Sequence, residues 1–134
     1  MSFTLDVSKY VAKTKKDVTE VIQSTAIVMF RDVIFDSPVD TGRFRANWFC
    51  TVNNPTGKVV YNPDEIYPPD AQIVDRMIKK VESAKSPKTY YLTNNLPYAY
   101  NLEMGSSNQA PQGMVRKNIN RFNALLEQEA RKYK

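Results

Sequence analysis

From Leu5 to Asp36 the chain contains neither glycine nor proline, and Val7, Val11, Val18, Val21, Ile22, Val28, Met29 and Val33 recur at about the 3.6-residue helical period. This spacing predicts a long first helix. Asp6 or Ser8 offers a cap for its start, and Pro38, which disfavours α conformation at Ser37, ends it near Phe35. Helical from Ser8 to Phe35, it would be roughly 42 Å long at 1.5 Å per residue, more than a domain this small usually hides. Thr14-Lys15-Lys16-Asp17, which has the form of a capping box, gives an alternative start after a break. The stretch Ala26-Ile27-Val28-Met29-Phe30 followed by Val33-Ile34-Phe35 is apolar nearly all round the helix. Such a stretch is buried on more than one side, either by other elements of the same chain or by a neighbouring subunit.

Beyond the turn at Pro38 to Gly42 the period changes to two. Phe44, Ala46, Trp48, Cys50 and Val52 share one face of a predicted strand, with Arg43, Arg45, Asn47 and Thr51 on the other. Cys50 then reads as a small core residue rather than a reactive thiol. Asn53-Asn54-Pro55-Thr56-Gly57 carries turn chemistry, and Lys58 to Tyr61 is expected to return as a paired strand. Asn62 to Asp70 reads as a proline-rich connection, whose Asp64 and Glu65 lack ligand spacing for a metal. Ile73, Val74, Met77, Ile78 and Val81 fit a short amphipathic helix started by Asp70, and Thr89 to Thr93 a strand rich in Tyr and Thr. Pro97 to Met104 suits two helical turns stopped by a left-handed Gly105, with a polar surface loop to Gly113. Val115, Ile119, Phe122, Leu125 and Leu126 define a final amphipathic helix. The expected fold is α+β in a single domain over residues 1–134: a long N-terminal helix, a small mainly antiparallel sheet, a short middle helix and a C-terminal amphipathic helix.

With 42% hydrophobic and 25% charged residues over 134 positions, the composition is that of an ordinary globular domain. Histidine is absent and Cys50 is the only cysteine, so Ser-His and Cys-His catalysis, histidine metal centres and an intramolecular disulfide are excluded. No cofactor, metal or catalytic residue is expected. No apolar run reaches the about 20 residues that cross a bilayer, and no secretory leader is legible in Met1 to Tyr10; a reducing cytosol and no membrane are the expectation. The net charge of +5 is concentrated at the end: Arg116, Lys117, Arg121, Arg131, Lys132 and Lys134 face only Glu127 and Glu129 after Met114.

Three functional readings follow. Asp40-Thr41-Gly42 is the tripeptide of aspartic proteases, which a homodimer would complete with a second carboxylate. Its setting, Ser37-Pro38-Val39 before and Arg43 after, instead suits a turn in which Asp40 accepts backbone N–H bonds and Gly42 takes a positive φ. A nucleic-acid-binding module would use the basic last helix with aromatics near Arg43, Arg45, Tyr90 and Tyr91, and would need Tyr91 or Phe49 open to solvent for base stacking.

The third reading joins two blocks. Ser37-Pro-Val-Asp-Thr-Gly-Arg-Phe-Arg-Ala-Asn-Trp48 and Tyr90-Tyr-Leu-Thr-Asn-Asn-Leu-Pro-Tyr-Ala-Tyr-Asn-Leu-Glu-Met-Gly105, with Ala110-Pro-Gln-Gly-Met-Val-Arg116 behind it, resemble the tailed-phage tail-completion and head–tail joining (neck) proteins, often described as minor tail components. The shared pattern is "P-V-D-T-G-R-L-R" after a long helix, then "N-x-x-P-Y-A-x-x-x-E-x-G", then "A-P-x-x-x-x-R" leading into a last helix. The sequence departs from it at Met104, where an aromatic is usual, at Gly113-Met114, which replaces a proline-aromatic pair, and in the longer segment from Pro55 to Lys85.

The resemblance implies a non-catalytic virion protein, made in the host bacterial cytoplasm and placed at the head–tail junction. It would assemble as a homo-oligomeric ring with connector, neck or tail-tube proteins and take no small-molecule substrate. Ring contacts are head-to-tail and need two different patches. The apolar end of the first helix (Ile27, Phe30, Ile34) is expected to form one, and Pro97 to Met104, with Tyr98, Tyr100 and Glu103, the other. Arg43 and Arg45 would pair with acids of a neighbour such as Glu103, or Glu103 and Arg116 would pair within one subunit across the Gly105 to Gly113 loop. A basic last helix lining the lumen would touch packaged DNA without reading bases.

Overall fold

The computed structural model describes residues 1–6, 16–39, 42–60, 67–84 and 89–131. Helix α1 (Lys16–Asp36) carries the over-apolar stretch, and its own chain covers most of it: Ala26, Met29, Phe30, Val33 and Ile34 are all buried. Phe30 meets Phe3 edge-on, with ring centroids 5.5 Å apart. Of the two coverings that the sequence leaves open, packing within the chain accounts for this segment, except at Phe35, which stays exposed, and at half-buried Ile27 and Val28.

The chain begins with strand β1 (Ser2–Asp6), followed by α1, the single turn α2 (Arg43–Ala46), β2 (Phe49–Val52), α3 (Asp70–Glu82) and β3 (Thr89–Thr93). Three short helices complete it: α4 (Ala99–Glu103), α5 (Val115–Ile119) and α6 (Phe122–Arg131). The sheet is antiparallel with the order β1-β3-β2. Phe3 lies opposite Leu92 and Leu92 opposite Cys50, so these three share the face that is covered, and Phe3 and Leu92 are buried. Helix α3 packs on β2 and on α1, while α5 and α6 lie against α1. The fold is α+β, with the helices and sheet closing on one hydrophobic cluster.

Several expectations need correction. Asp6 belongs to β1 rather than capping a helix, and α1 is described from Lys16, close to the alternative start at Thr14 to Asp17; Ser8 and Thr14 lie outside the described residues. The predicted strand from Phe44 begins only at Phe49. Gly42, at φ +86°, opens a helical turn in which the Ala46 N–H donates to the Gly42 carbonyl (3.0 Å). Phe44, Ala46 and Trp48 are all buried, yet by a turn and a bend that imitate a period of two. Arg43 and Arg45 are therefore not neighbours on a strand face.

Lys58 to Val60 does not pair with β2, whose partner is β3, with Thr51 opposite Tyr91. Tyr61, Asp64 and Glu65 lie outside the described residues. Asp70 does not cap α3; Pro69 occupies the cap position, and the Asp70 carboxylate binds Arg45 instead. The final helix is broken at Asn120 and Arg121. Ile119 turns out to solvent while buried Asn118 takes the inner place, donating to the Met114 carbonyl (2.7 Å) and to Asp36 Oδ2 (2.9 Å).

Candidate functional site

The C-terminus of α1 leaves backbone carbonyls without helical donors, and the 37–48 block supplies partners. Arg45 donates through Nη2 to the Phe35 carbonyl (2.8 Å), through Nε to the Ser37 carbonyl (2.9 Å) and through Nη1 to Asp70 Oδ2 (2.6 Å). The planar guanidinium satisfies the last-turn carbonyl of Phe35, the Ser37 carbonyl and one carboxylate at once through three separate nitrogens, a spread that the single nitrogen of an ammonium lacks. The Ser37 hydroxyl donates to the Val33 carbonyl (2.7 Å) and accepts from Trp48 Nε1 (2.8 Å), which ties the indole to the helix end.

The 90–116 block is bound to this assembly at several points. Buried Asn94 donates through Nδ2 to the Phe44 carbonyl (2.9 Å). The Phe44 ring lies 5.8 Å from Trp48 and 5.9 Å from Tyr98, and the Arg43 guanidinium sits 5.7 Å from the Tyr98 ring centre. Gln109 clasps both backbone groups of Val39, accepting from its N–H (2.9 Å) and donating to its carbonyl (3.0 Å). Two clefts flank this clasp. One, of about 350 Å³, lies between Asp36, Arg45, Pro111 and Lys117; the other, of about 250 Å³, lies between Pro38, Phe44, Tyr98 and Leu102.

Glu103 is 4% exposed. Its Oε1 accepts the Met114 and Val115 N–H groups at 2.8 and 2.7 Å, with the Arg116 N–H at 3.4 Å, so that an α4 carboxylate satisfies the first donors of α5. Arg116 completes the pairing: its Nε lies 3.8 Å from Glu103 Oε2 and its Nη2 donates to the Glu103 carbonyl. Of the two expected roles for Glu103, the pairing across the Gly105 to Gly113 loop is the one found, and the carboxylate is not available to a neighbour. Gly113, at φ +79°, is the residue that lets the chain pass so close, since a Cβ there would run into the carbonyl oxygen and the carboxylate of Glu103.

The other candidate positions divide clearly. Phe30 and Ile34 are fully buried in their own chain and offer no area to a neighbour; Ile27 is half-buried against the core. Arg45 is committed to Asp70. Tyr98 is half-buried, whereas Tyr100 is 64% exposed and shares the outer side of α4 with exposed Met104, one turn away. Gly42 has the positive φ expected of it, while Asp40 and Thr41 lie outside the described residues. Asn47, expected on an outer strand face, is buried and pairs with both backbone groups of Val60 (2.8 and 2.9 Å); like Asn94 and Gln109, it is an amide whose anchoring role carries no local pattern in the sequence.

The basic C-terminal segment is drawn back onto α1. Lys117 Nζ is 3.4 Å from Asp36 Oδ1, and Arg121 Nη1 is 3.3 Å from Asp32 Oδ2. Arg131 is exposed, and Lys132 and Lys134 lie outside the described residues. Phe49 is half-buried, with the Arg76 guanidinium 4.4 Å and the Lys58 ammonium 4.9 Å from its ring centre, and Tyr91 is half-buried, so neither ring is an open stacking platform. Burial pushes the Cys50 thiol up to about 12 against the opposing pull of Lys80, which leaves no thiolate at neutral pH. Among the described residues no three carboxylate or thiol side chains converge as a metal would require, and no helix is long and apolar enough to cross a membrane. Compared with known families, with curated proteins and with solved structures, the chain matches none.

Proposed function

We propose that this chain is a structural protein of the head–tail junction of a tailed phage, where it assembles as a ring between the DNA-filled capsid and the tail. Its partners would be copies of itself and connector, neck or tail-tube proteins, and it would make or break no covalent bond. One observation carries the reading: the two blocks on which the family resemblance rests, more than 40 residues apart, are knitted into one continuous unit by Asn94, Tyr98, Gln109 and Phe44. Residues that recur together in sequence because they build one unit are expected to meet in space in this way. That unit leaves Phe35, Val39, Tyr100 and Met104 exposed, and exposed apolar groups around a rigid frame suit a protein–protein contact.

Of the two expected patches, the one on the first helix falls away with the burial of Phe30 and Ile34, and the one on Pro97 to Met104 keeps Tyr100 and Met104 at the surface. Contact with packaged DNA, if the last helix faces the lumen, would be weak and salt-sensitive, because Arg116, Lys117 and Arg121 already have acidic neighbours. Native mass spectrometry and negative-stain imaging of the purified chain, alone and with neck components, are expected to give rings. A phage lacking the protein is expected to give full heads and unattached tails. A chain that stays monomeric in every mixture, and binds oligonucleotides tightly instead, would sink the reading.

A further inference from the structure

We propose that successive copies of this chain join by strand addition, with the extended segment 56–60 of one copy lying along the outer edge of β1 in the next. The inference rests on the ring reading above and names the two surfaces that meet.

The acceptor is defined by the hydrogen-bond phase of the sheet. The Met1 amino group donates to the Asn94 carbonyl (2.9 Å) and the Asn94 N–H donates to the Met1 carbonyl (2.8 Å), so this pair exchanges both bonds. In an antiparallel ladder the exchange alternates, so Phe3 and Leu5 also direct their backbone groups toward β3, and Ser2, Thr4 and Asp6 direct theirs away. Among the described residues nothing takes those outward groups. The edge has no proline, lysine or bulge to discourage pairing. Beside it opens a cleft of about 290 Å³ formed by Phe3, Thr4, Met29, Ile119, Phe122 and Asn123, in which Ile119 is 49% exposed. The opposite edge, β2, is less open: α3 packs on it, and Arg76 Nη2 donates to the Trp48 carbonyl (2.9 Å).

The donor is a strand held without a sheet. Asn95 Nδ2 donates to the Thr56 carbonyl (2.7 Å) and, at 3.3 Å, to that of Lys58. The Asn47 side chain donates to the Val60 carbonyl (2.9 Å) and accepts the Val60 N–H (2.8 Å). The carbonyls of 56, 58 and 60 thus face the body of the protein, the Lys58 N–H closes onto Thr56 Oγ1 (3.1 Å), and the N–H and C=O groups of Gly57 and Val59 are left for the other side. Among the described residues those groups have no partner, and the Val59 side chain is 44% exposed.

A row of unpaired N–H and C=O groups at strand spacing is matched by another extended polypeptide, and by neither a helix nor a small molecule. Segment 56–60 supplies that complement, with Val59 opposite Thr4 and its side chain on the Thr4 side of the sheet, away from Phe3. Because the segment is pinned to Asn47, on the β2 side of the sheet, β3 stands between it and the β1 edge of its own chain. The contact must therefore be made with another copy, and it joins two different surfaces, the head-to-tail arrangement that closes into rings.

The test is disulfide trapping in a Cys50→Ala background. Thr4→Cys and Val59→Cys proteins, mixed and oxidised under conditions where native mass spectrometry records the oligomer, are expected to give an intermolecular disulfide between positions 4 and 59 that neither variant gives alone. A cross-link within Thr4→Cys alone, or within Val59→Cys alone, would mean that like edges pair and would overturn the inference. Rings without the mixed cross-link would overturn strand addition and leave the ring reading standing; the absence of any oligomer would remove both. Val59→Pro gives a second readout, since it deletes an N–H that has no partner among the described residues of its own chain. It is expected to lower oligomer yield at least tenfold with an unchanged melting temperature, and unchanged assembly would count against the proposal.

Discussion

At the scale of single residues, two glycines of similar appearance in sequence have opposite roles. Gly113 sits at φ +79° against the carbonyl and carboxylate of Glu103, whereas a Cβ on Gly57 would meet nothing within 4 Å. Gly113→Ala must strain the backbone and push Glu103 off the first N–H groups of α5, a loss of about 2–4 kcal/mol. At about 4 °C per kcal/mol for a domain this size, thermal melts are expected to fall by roughly 8–16 °C for Gly113→Ala and by less than about 2 °C for Gly57→Ala. Buried neutral groups set the alkaline limit. Burial raises Cys50 from near 9, and Tyr90 from near 10, to about 12 in the folded protein, with the neighbouring Cys50 charge adding to the shift of Tyr90. Both groups prefer to stay protonated when folded, so their contribution is complete below the unfolded values and is lost as pH rises from about 9 through about 12. Melting temperature measured against pH is expected to drop across that window, with a shallower slope in Cys50→Ala and in Tyr90→Phe.

At the scale of elements, the sequence is most informative where partners are near in the chain. The strand Thr89–Thr93, the helix Asp70–Glu82 and the turns ending at left-handed Gly105 are local patterns of β-branched and aromatic residues, helical spacing and a glycine stop. Segments settled by distant partners are harder to read. β1 exists because Ser2 to Asp6 pairs with Thr93 to Thr89, and nothing within five residues announces that. The stretch from Phe44 alternates like a strand, but the Arg45 side chain is drawn to the end of α1 and to Asp70, which holds its backbone in a turn. This arrangement depends on a planar fork of donors. Arg45→Lys is therefore expected to destabilise nearly as much as Arg45→Ala, by about 1–3 kcal/mol in chemical denaturation, whereas Lys79→Ala, which removes one exposed pair with Asp75, is expected to leave the denaturation midpoint unchanged. Of the candidate site, the pairing of Glu103 with Arg116 is legible in the sequence, and Tyr100 is exposed as a contact position would have to be. The amide anchors were hidden, because their role is fixed by backbone groups that fold against them.

At the scale of the whole molecule, most of the apolar surplus of the first helix is resolved inside the chain, and the surplus left outside lies at Phe35 and Val39, on α4, on segment 56–60 and at Ile119. In the proposed assembly, stability and subunit contact would therefore be carried by different residues. Tyr100→Ser combined with Met104→Ser is expected to leave the melting temperature within about 2 °C of the parent, as exposed substitutions usually do, while abolishing incorporation into particles scored by electron microscopy. The position of β1 has a further effect during synthesis. Its partner β3 is translated more than eighty residues later, so on the ribosome the first strand emerges and waits through most of elongation before it can join a sheet. Nascent chains stalled before Tyr90 has cleared the exit tunnel should therefore keep Phe3 accessible to proteases and to hydrophobic-binding chaperones, and protection should arrive late and all at once.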